Sequence, residues 1–371
     1  MRRHVLDSAV MSVAERGPLP HVLLRTLVVL GALASWLVFP AGPAQAHSVS
    51  GAASTNFHTS MTGMTPTVAG IVLAPVENGS RIELTVAGHQ TVIVKGYNDE
   101  PYLRVDPTGV WQNALSSATY LNRSRYGPQG LSSSGDDHAP PRWEMIHDGH
   151  SAVWHDHRTH WMSTQNPPVV QAAPRRFHQI YTWTIPLTVD GQPVTASGNL
   201  DWVPGPSPVP WFALEIAVAA AVVTLGLLRR GNFVLAMAVT TIVAADIVHS
   251  VLIAFSRADG RLSGFFFGNT VETVVWVLGL IAAVLLVRRS VVGLYLAATA
   301  GFVIAMIGGF GDVGVLYRSS APIAGPIGLA RTLTATTIGI GFGLLGAAAA
   351  SRQQRWRERR EMLPAGPSMA G

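Results

Sequence analysis

The chain has no cysteine among its 371 residues. Disulfides, zinc–thiolate sites and thiol nucleophiles are thereby excluded, and a metal would have to be held by histidine, methionine, carboxylate or backbone. Charge is also scarce, at 13% of residues against 48% hydrophobic. A soluble domain carries about a quarter of its residues as charges, so this composition points to a membrane protein with a sizeable polar part. Lysine is nearly absent, Lys95 being the only one, and arginine carries the formal charge of +5. The arginines flank apolar runs, which membrane topology explains better than nucleic-acid binding. No nucleophile elbow, HExxH or phosphate loop is present.

Histidine is plentiful, and the chain concentrates it. His147–Met162 reads HDGHSAVWHDHRTHWM and holds His147, His150, His155, His157 and His160. Neutral imidazole is the commonest ligand for borderline transition metals. On a strand, His155 and His157 would share one face; on a helix, His157 and His160 would be neighbours. The competing expectation is a polar segment whose histidines hydrogen-bond within a β domain.

Residues 1–46 read as a signal peptide. A basic leader with Arg2, Arg3, Arg16 and Arg25 precedes an apolar run from Thr26 to Phe39, and Ala44-Gln45-Ala46 is an A-x-A cleavage site. Cleavage there leaves His47 as the new N-terminus, whose amine and imidazole form a chelate suited to Cu(II). Residues 47–209 form the exported part, ending in the proline-rich linker Val203–Pro210. Strands are expected at Arg81–Val86 and Thr91–Val94, joined as a hairpin, and at Tyr102–Val105, Val110–Gln112, Ile180–Ile185 and Thr195–Leu200. Short strands between turn residues favour a β-sandwich. Asn122–Pro141 reads as a loop. Within this part His58, Met61 and Met64 form a second candidate copper contact, thioether sulfur suiting Cu(I).

Residues 210–350 hold five apolar runs, at about 211–228, 233–255, 264–287, 291–311 and 327–349. Each is near the ~20 residues a membrane helix needs. Arg229-Arg230, Arg288-Arg289 and the basic tail (351–371) alternate with less positive loops. Placing all three in the cytoplasm satisfies the positive-inside rule and puts 47–209 outside. The fold class expected is therefore mixed: signal peptide, all-β exported domain and α-helical bundle of five spans.

Polar residues interrupt the spans at Glu215, Asp246, His249, Asn269, Glu272, Asp312 and Arg331. A charge at mid-helix costs ~2.5–3.5 kcal/mol on the insertion scale. The expectation is that these groups face one another in the outer half of the bilayer, with Arg331 pairing with Glu272 or Asp312.

The arrangement carried by Ala44-Gln45-Ala46-His47, the exported His and Met residues and the hydrophobic C-terminal half resembles that of the copper-resistance CopC/CopD proteins. That resemblance implies copper handling and carries over only His47 as a ligand; the longer exported part and the smaller number of spans depart from it. GYNDEPYLRV (96–105) and WHDHRTHWM (154–162) resemble stretches of uncharacterised actinobacterial membrane proteins with an exported domain, which implies the layout and no activity. Three functions follow as expectations: an extracytoplasmic metal-binding protein of the plasma membrane, with copper ahead of zinc; a cell-envelope structural or interaction protein with a protein partner and no metal; and, last, a copper-dependent oxidative enzyme. The lipid bilayer is a partner in all three.

Overall fold

The computed structural model describes residues 53–123, 125, 135–228, 230–256, 265 and 269–361, with 354–361 as backbone. The proposed signal peptide and His47 lie outside these residues.

Residues 57–202 form an all-antiparallel β region. Its strands are β1 (Phe57–Thr65), β2 (Ile71–Val76), β3 (Arg81–Val86), β4 (Val92–Lys95), β5 (Pro101–Asp106), β6 (Gly109–Asn113), β7 (Trp143–His147), β8 (Ser151–Trp154), β9 (His178–Val189) and β10 (Gln192–Trp202). Two short helices, α1 (Ser117–Leu121) and α2 (Pro168–Ala172), lie in the connections. One sheet has seven strands in the order β1-β10-β9-β4-β5-β6-β7, and the other has three in the order β2-β3-β8.

Strand periodicity explains the core. In β3, Ile82, Leu84 and Val86 are buried while Arg81, Glu83 and Thr85 are not. In β10, every second residue from Val194 to Trp202 (Val194, Ala196, Gly198, Leu200 and Trp202) is buried. Residues from both sheets share one apolar core. The β9–β10 hairpin turns at Asp190-Gly191, both at positive φ (49° and 81°). That is the tight turn whose twist matches paired strands, and Asp-Gly suits it.

The expected hairpin over 81–94 does not form. β3 pairs with β2 and β8, whereas β4 pairs with β5 and β9, so the connection crosses from one sheet to the other. Four strands (β1, β2, β7, β8) were not expected from the sequence.

The C-terminal part consists of α3 (Val209–Gly226), α4 (Gly231–Phe255), α5 (Thr270–Val287), α6 (Val291–Ile304), a π-helical turn (Ala305–Gly309), a 3-10 turn (Val313–Leu316) and α7 (Ile327–Glu361). Five stretches are long and apolar enough to cross a membrane: α3, α4, α5, α6 with the π turn, and α7 to Gln353. Length and hydropathy thus mark a multi-pass membrane protein. Exposed side chains such as Ile216, Val277 and Val287 suit a lipid-facing surface.

A seam joins the β region to the bundle. Thr55 and Ser320 exchange two backbone hydrogen bonds of 2.9 and 3.0 Å. Ser319 N–H donates to Asn56 Oδ1 at 2.8 Å, and the Ser320 hydroxyl donates to Asn78 Oδ1. The segment is tied to the end of α4 as well, through Ala324 N–H to Leu252 O at 2.9 Å and the Ser256 hydroxyl to Pro322 O at 2.7 Å. A β domain seated by main-chain bonds on the ends of membrane helices will resist rocking against them.

Candidate functional site

The histidine segment is a clamped loop. After β8 the chain turns at Asp156, where Thr159 N–H donates to Asp156 O at 3.0 Å. The Asp156 carboxylate is fully buried. It accepts from Trp154 Nε1 at 3.0 Å and from Arg158 Nε and Nη2 at 2.8 and 2.7 Å. Arg158 also donates to the carbonyls of Gly96 and Lys95 and lies 5.0 Å over the Tyr97 ring. Burial alone would pull the Arg158 guanidinium down; the Asp156 bonds more than reverse this, and its pKa is raised. A buried ion pair this fully bonded fixes geometry more surely than it adds stability.

The turn sends the histidines in different directions. His155, buried, donates Nδ1–H to Ser80 O at 2.8 Å. His160, 1% exposed, donates Nε2–H to Arg125 O at 2.8 Å. A carbonyl only accepts, so each bond fixes the tautomer and leaves the other ring nitrogen with a lone pair. In His160 that nitrogen, Nδ1, is buried without a hydrogen-bond partner. His157 lies between, its ring 6.1 Å from Tyr97 and edge-on to His160 at 5.7 Å. Its backbone N–H donates to the Tyr97 hydroxyl at 2.9 Å, which in turn donates to Asn122 Oδ1.

Burial is the main reason that His155 and His160 stay neutral. It lowers both pKa values, that of His160 to about 4, and the positive charge of Arg125 adds to the effect in each. Burial likewise pushes the Tyr97 phenol up.

His147 and His150 stand apart from these three. His147 ends β7, exposed, and its Nδ1 accepts from Gly149 N–H at 2.7 Å. His150 lies in the β7–β8 turn, where its carbonyl accepts from Val86. His58 lies on β1, with its ring Nε2 2.9 Å from the Ser319 hydroxyl. Burial lowers its pKa, partly offset by Asp201. Met61 and Met64 pack against the β core, and strand alternation places Met61 on the opposite face from His58. Among the described residues no three His, Asp or Glu side chains converge as a metal cage.

The intramembrane polar residues come together only in part. Asp246 and His249 are one turn apart on α4, both buried. Asp246 Oδ2 accepts from Trp276 Nε1 on α5 at 2.7 Å. Gly308, in the π turn, packs so closely on Asp246 that a Cβ there would stand 2.0 Å from Oδ1. His249 Nε2 lies 3.0 Å from Asp312 Oδ2, and its Nδ1 is buried without a partner. One close contact, Gly308 against Asp246, and one hydrogen-bonded pair, His249 with Asp312, thus join α4 to the chain between Gly308 and Asp312. A π turn inserted in an α-helix recurs at functional positions.

Arg331 pairs differently from expectation. It donates Nε to Val315 O at 3.1 Å and Nη2 to Arg318 O at 2.9 Å. It therefore holds one carbonyl of the 3-10 turn and one just after it, next to the seam. Glu272 and Asn269 are buried near the start of α5, the Asn269 amide donating to Phe265 O at 2.7 Å. Glu215 lies early in α3, with Oε1 buried and without a hydrogen-bond partner.

No family model, no curated protein and no solved structure matches the chain.

Proposed function

We propose that the protein is a membrane-anchored, extracytoplasmic metal-handling protein, with copper preferred to zinc. A signal peptide (1–46) exports residues 47–209 as a β-sandwich-like domain. The five spans (210–350) hold it in the plasma membrane, and the basic tail (351–371) stays in the cytoplasm. His155, His157 and His160 bind the ion.

The observation that supports this is the pair of carbonyl-fixed imidazoles. A ligating histidine almost always donates its second ring N–H to a carbonyl or carboxylate, which orients the ring and sets the tautomer. His155 and His160 both do so. Both are kept neutral, the only form that ligates. The three rings do not already enclose one point, so binding has to draw them together, at a cost in affinity relative to a preformed cage. Copper is preferred because thiolates are absent and Cu(II) leads the divalent series at nitrogen ligands.

The test is a Cu(II) and Zn(II) titration of the full chain in detergent after EDTA treatment. The expected result is about one Cu(II) per chain, lost when His155 and His157 are both changed to Ala. Undiminished uptake in that variant, or none in the parent, overturns the reading.

A second reading is favoured by the seam. Thr55, Asn56, His58 and Asn78 all bond to Ser319 or Ser320, which suits an envelope structural or interaction protein whose domain is held rigidly for a protein partner. There the same imidazole–carbonyl bonds are structural. Protein purified from metal-rich medium would then carry no metal.

A further inference from the structure

The β region rests on the bundle at one end, and strand register shows which residues lie there. Trp202 ends β10 opposite His178, the first residue of β9, and opposite Phe57, the first of β1. One residue further on, Val203 N–H donates to Asn56 O at 2.8 Å, and Asn56 Oδ1 holds Ser319 in the seam. The linker then reaches α3, whose apolar run starts at Val209. The stretch 163–177 leads into His178, so it closes the sheet at this same end, near the level where the spans begin.

Four hydrogen bonds hold that stretch in shape. Trp161 Nε1 donates to Gln165 O at 2.6 Å, Gln171 Nε2 to Asn166 O at 2.6 Å and Trp202 Nε1 to Pro174 O at 3.0 Å. His178 Nε2 donates to Ala173 O at 2.8 Å, and Val170 of α2 is fully buried. Left outside are an apolar pair and a cationic pair. Phe177 is 61% exposed and Val169 47%. Arg175 and Arg176 are exposed beside Phe177, and among the described residues neither is ion-paired. There is no aspartate or glutamate from His157 to Val189. Asp201, opposite Gln179 on the sheet, pairs with neither arginine. A phenylalanine held out in water by a bonded loop forgoes the gain of burial. At a bilayer boundary the same groups are suited to their surroundings: the ring to the upper acyl chains, the guanidinium groups to phosphate.

We propose that the 163–177 loop is a second membrane contact, separate from the spans. Phe177 and Val169 enter the headgroup layer of the leaflet on the β-domain side, and Arg175 and Arg176 meet lipid phosphates. The occupant is the bilayer that holds the chain's own spans. The loop lies at the sheet end that the seam ties to those spans, and its charge is complementary to anionic headgroups. The contact uses neither His155, His157 nor His160, so it stands or falls apart from the metal reading.

Because the chain has no cysteine, a bimane dye can be attached singly in Phe177→Cys, Val169→Cys and Gln192→Cys. Gln192 begins β10, and the strand rise puts it roughly 30 Å from Trp202. All three positions are exposed, so unfolding temperatures should match the parent. The full chain is reconstituted in phosphatidylcholine vesicles, with and without phosphatidylglycerol, that carry a spin label at the headgroup as quencher. EDTA is kept present so that bound copper cannot quench. The dye at positions 177 and 169 should be quenched, and the dye at 192 should not. With phosphatidylglycerol present, changing Arg175 and Arg176 to Gln should lower the ratio of quenched to free dye at 177 about fivefold for each charge removed. The proposal is overturned if the dye at 177 is quenched no more than that at 192, or if the two Gln changes leave its quenching unaltered. It is also overturned if shielding of 177 from aqueous iodide rises with the protein-to-lipid ratio, as a second copy covering the loop would cause.

Discussion

Replacing Asp156 by Asn tests whether the buried ion pair holds the histidine loop in place. The change is isosteric, so it opens no cavity and isolates the charge. It leaves Arg158 without its carboxylate and turns an amide N–H₂ toward donors that need acceptors. Removing one partner of a buried pair costs about 3–5 kcal/mol. Arg158 is one-fifth exposed and keeps the Gly96 and Lys95 carbonyls, which places the expected loss at the lower end, about 3 kcal/mol. At roughly 2–4 °C per kcal/mol for a domain of this size, the unfolding temperature should fall by roughly 6–12 °C. The assay is thermal unfolding of the full chain in detergent, followed through the near-ultraviolet dichroism of the tryptophans. Adding Arg158→Met should recover part of the loss, because removing both charges costs less than stranding one. A shift below about 2 °C, or a double variant as unstable as the two single losses combined, would refute the reasoning.

Four further outcomes are expected. His160 titrates near 4 in the folded protein against about 6.5 unfolded, because burial opposes its charge, and His155 is shifted the same way. The stabilisation from their neutral forms is complete above about pH 6.5 and is lost as pH falls towards and through about 4; His160→Gln should flatten unfolding temperature against pH in that window. Gly308→Ala would put a Cβ 2.0 Å from Asp246 Oδ1, and forcing that contact apart should cost about 1–3 kcal/mol, read as earlier unfolding in detergent. Arg331→Gln removes the donors that hold Val315 O and Arg318 O and should make the 317–325 segment cleavable under limited proteolysis that spares the parent. Because the chain has no cysteine, single cysteines report topology directly: an impermeant maleimide on intact cells should label His150→Cys and not Gln353→Cys, and the reverse pattern would invert the orientation.

The spans were legible because a run of about twenty apolar residues has few other uses. Strands with one buried face were legible too: RIELTV alternates, and the structure buries every second residue of it. β7 was not, since WEMIH is the outer strand of its sheet and four of its five residues are exposed. β1 was hidden for a related reason: it is also an outer strand, and FHTSMTGMT is broken by a register shift between Met61 and Gly63. The 81–94 hairpin was misread because strand partners are chosen across the core, whereas sequence spacing speaks only for neighbours. His155 and His157 do not share a strand face, because the bonds between Asp156 and Arg158 make that segment a turn. Arg331 found main-chain carbonyls in place of a carboxylate, and carbonyls have no letter in a sequence.

The metal reading is most directly tested by electron paramagnetic resonance of the full chain loaded with one equivalent of Cu(II). A tetragonal signal with hyperfine coupling to several imidazole nitrogens is expected, reduced in His160→Ala and gone when His155 and His157 are both Ala. A spectrum of free or detergent-bound copper in the parent, or the same nitrogen coupling in the double variant, would contradict it.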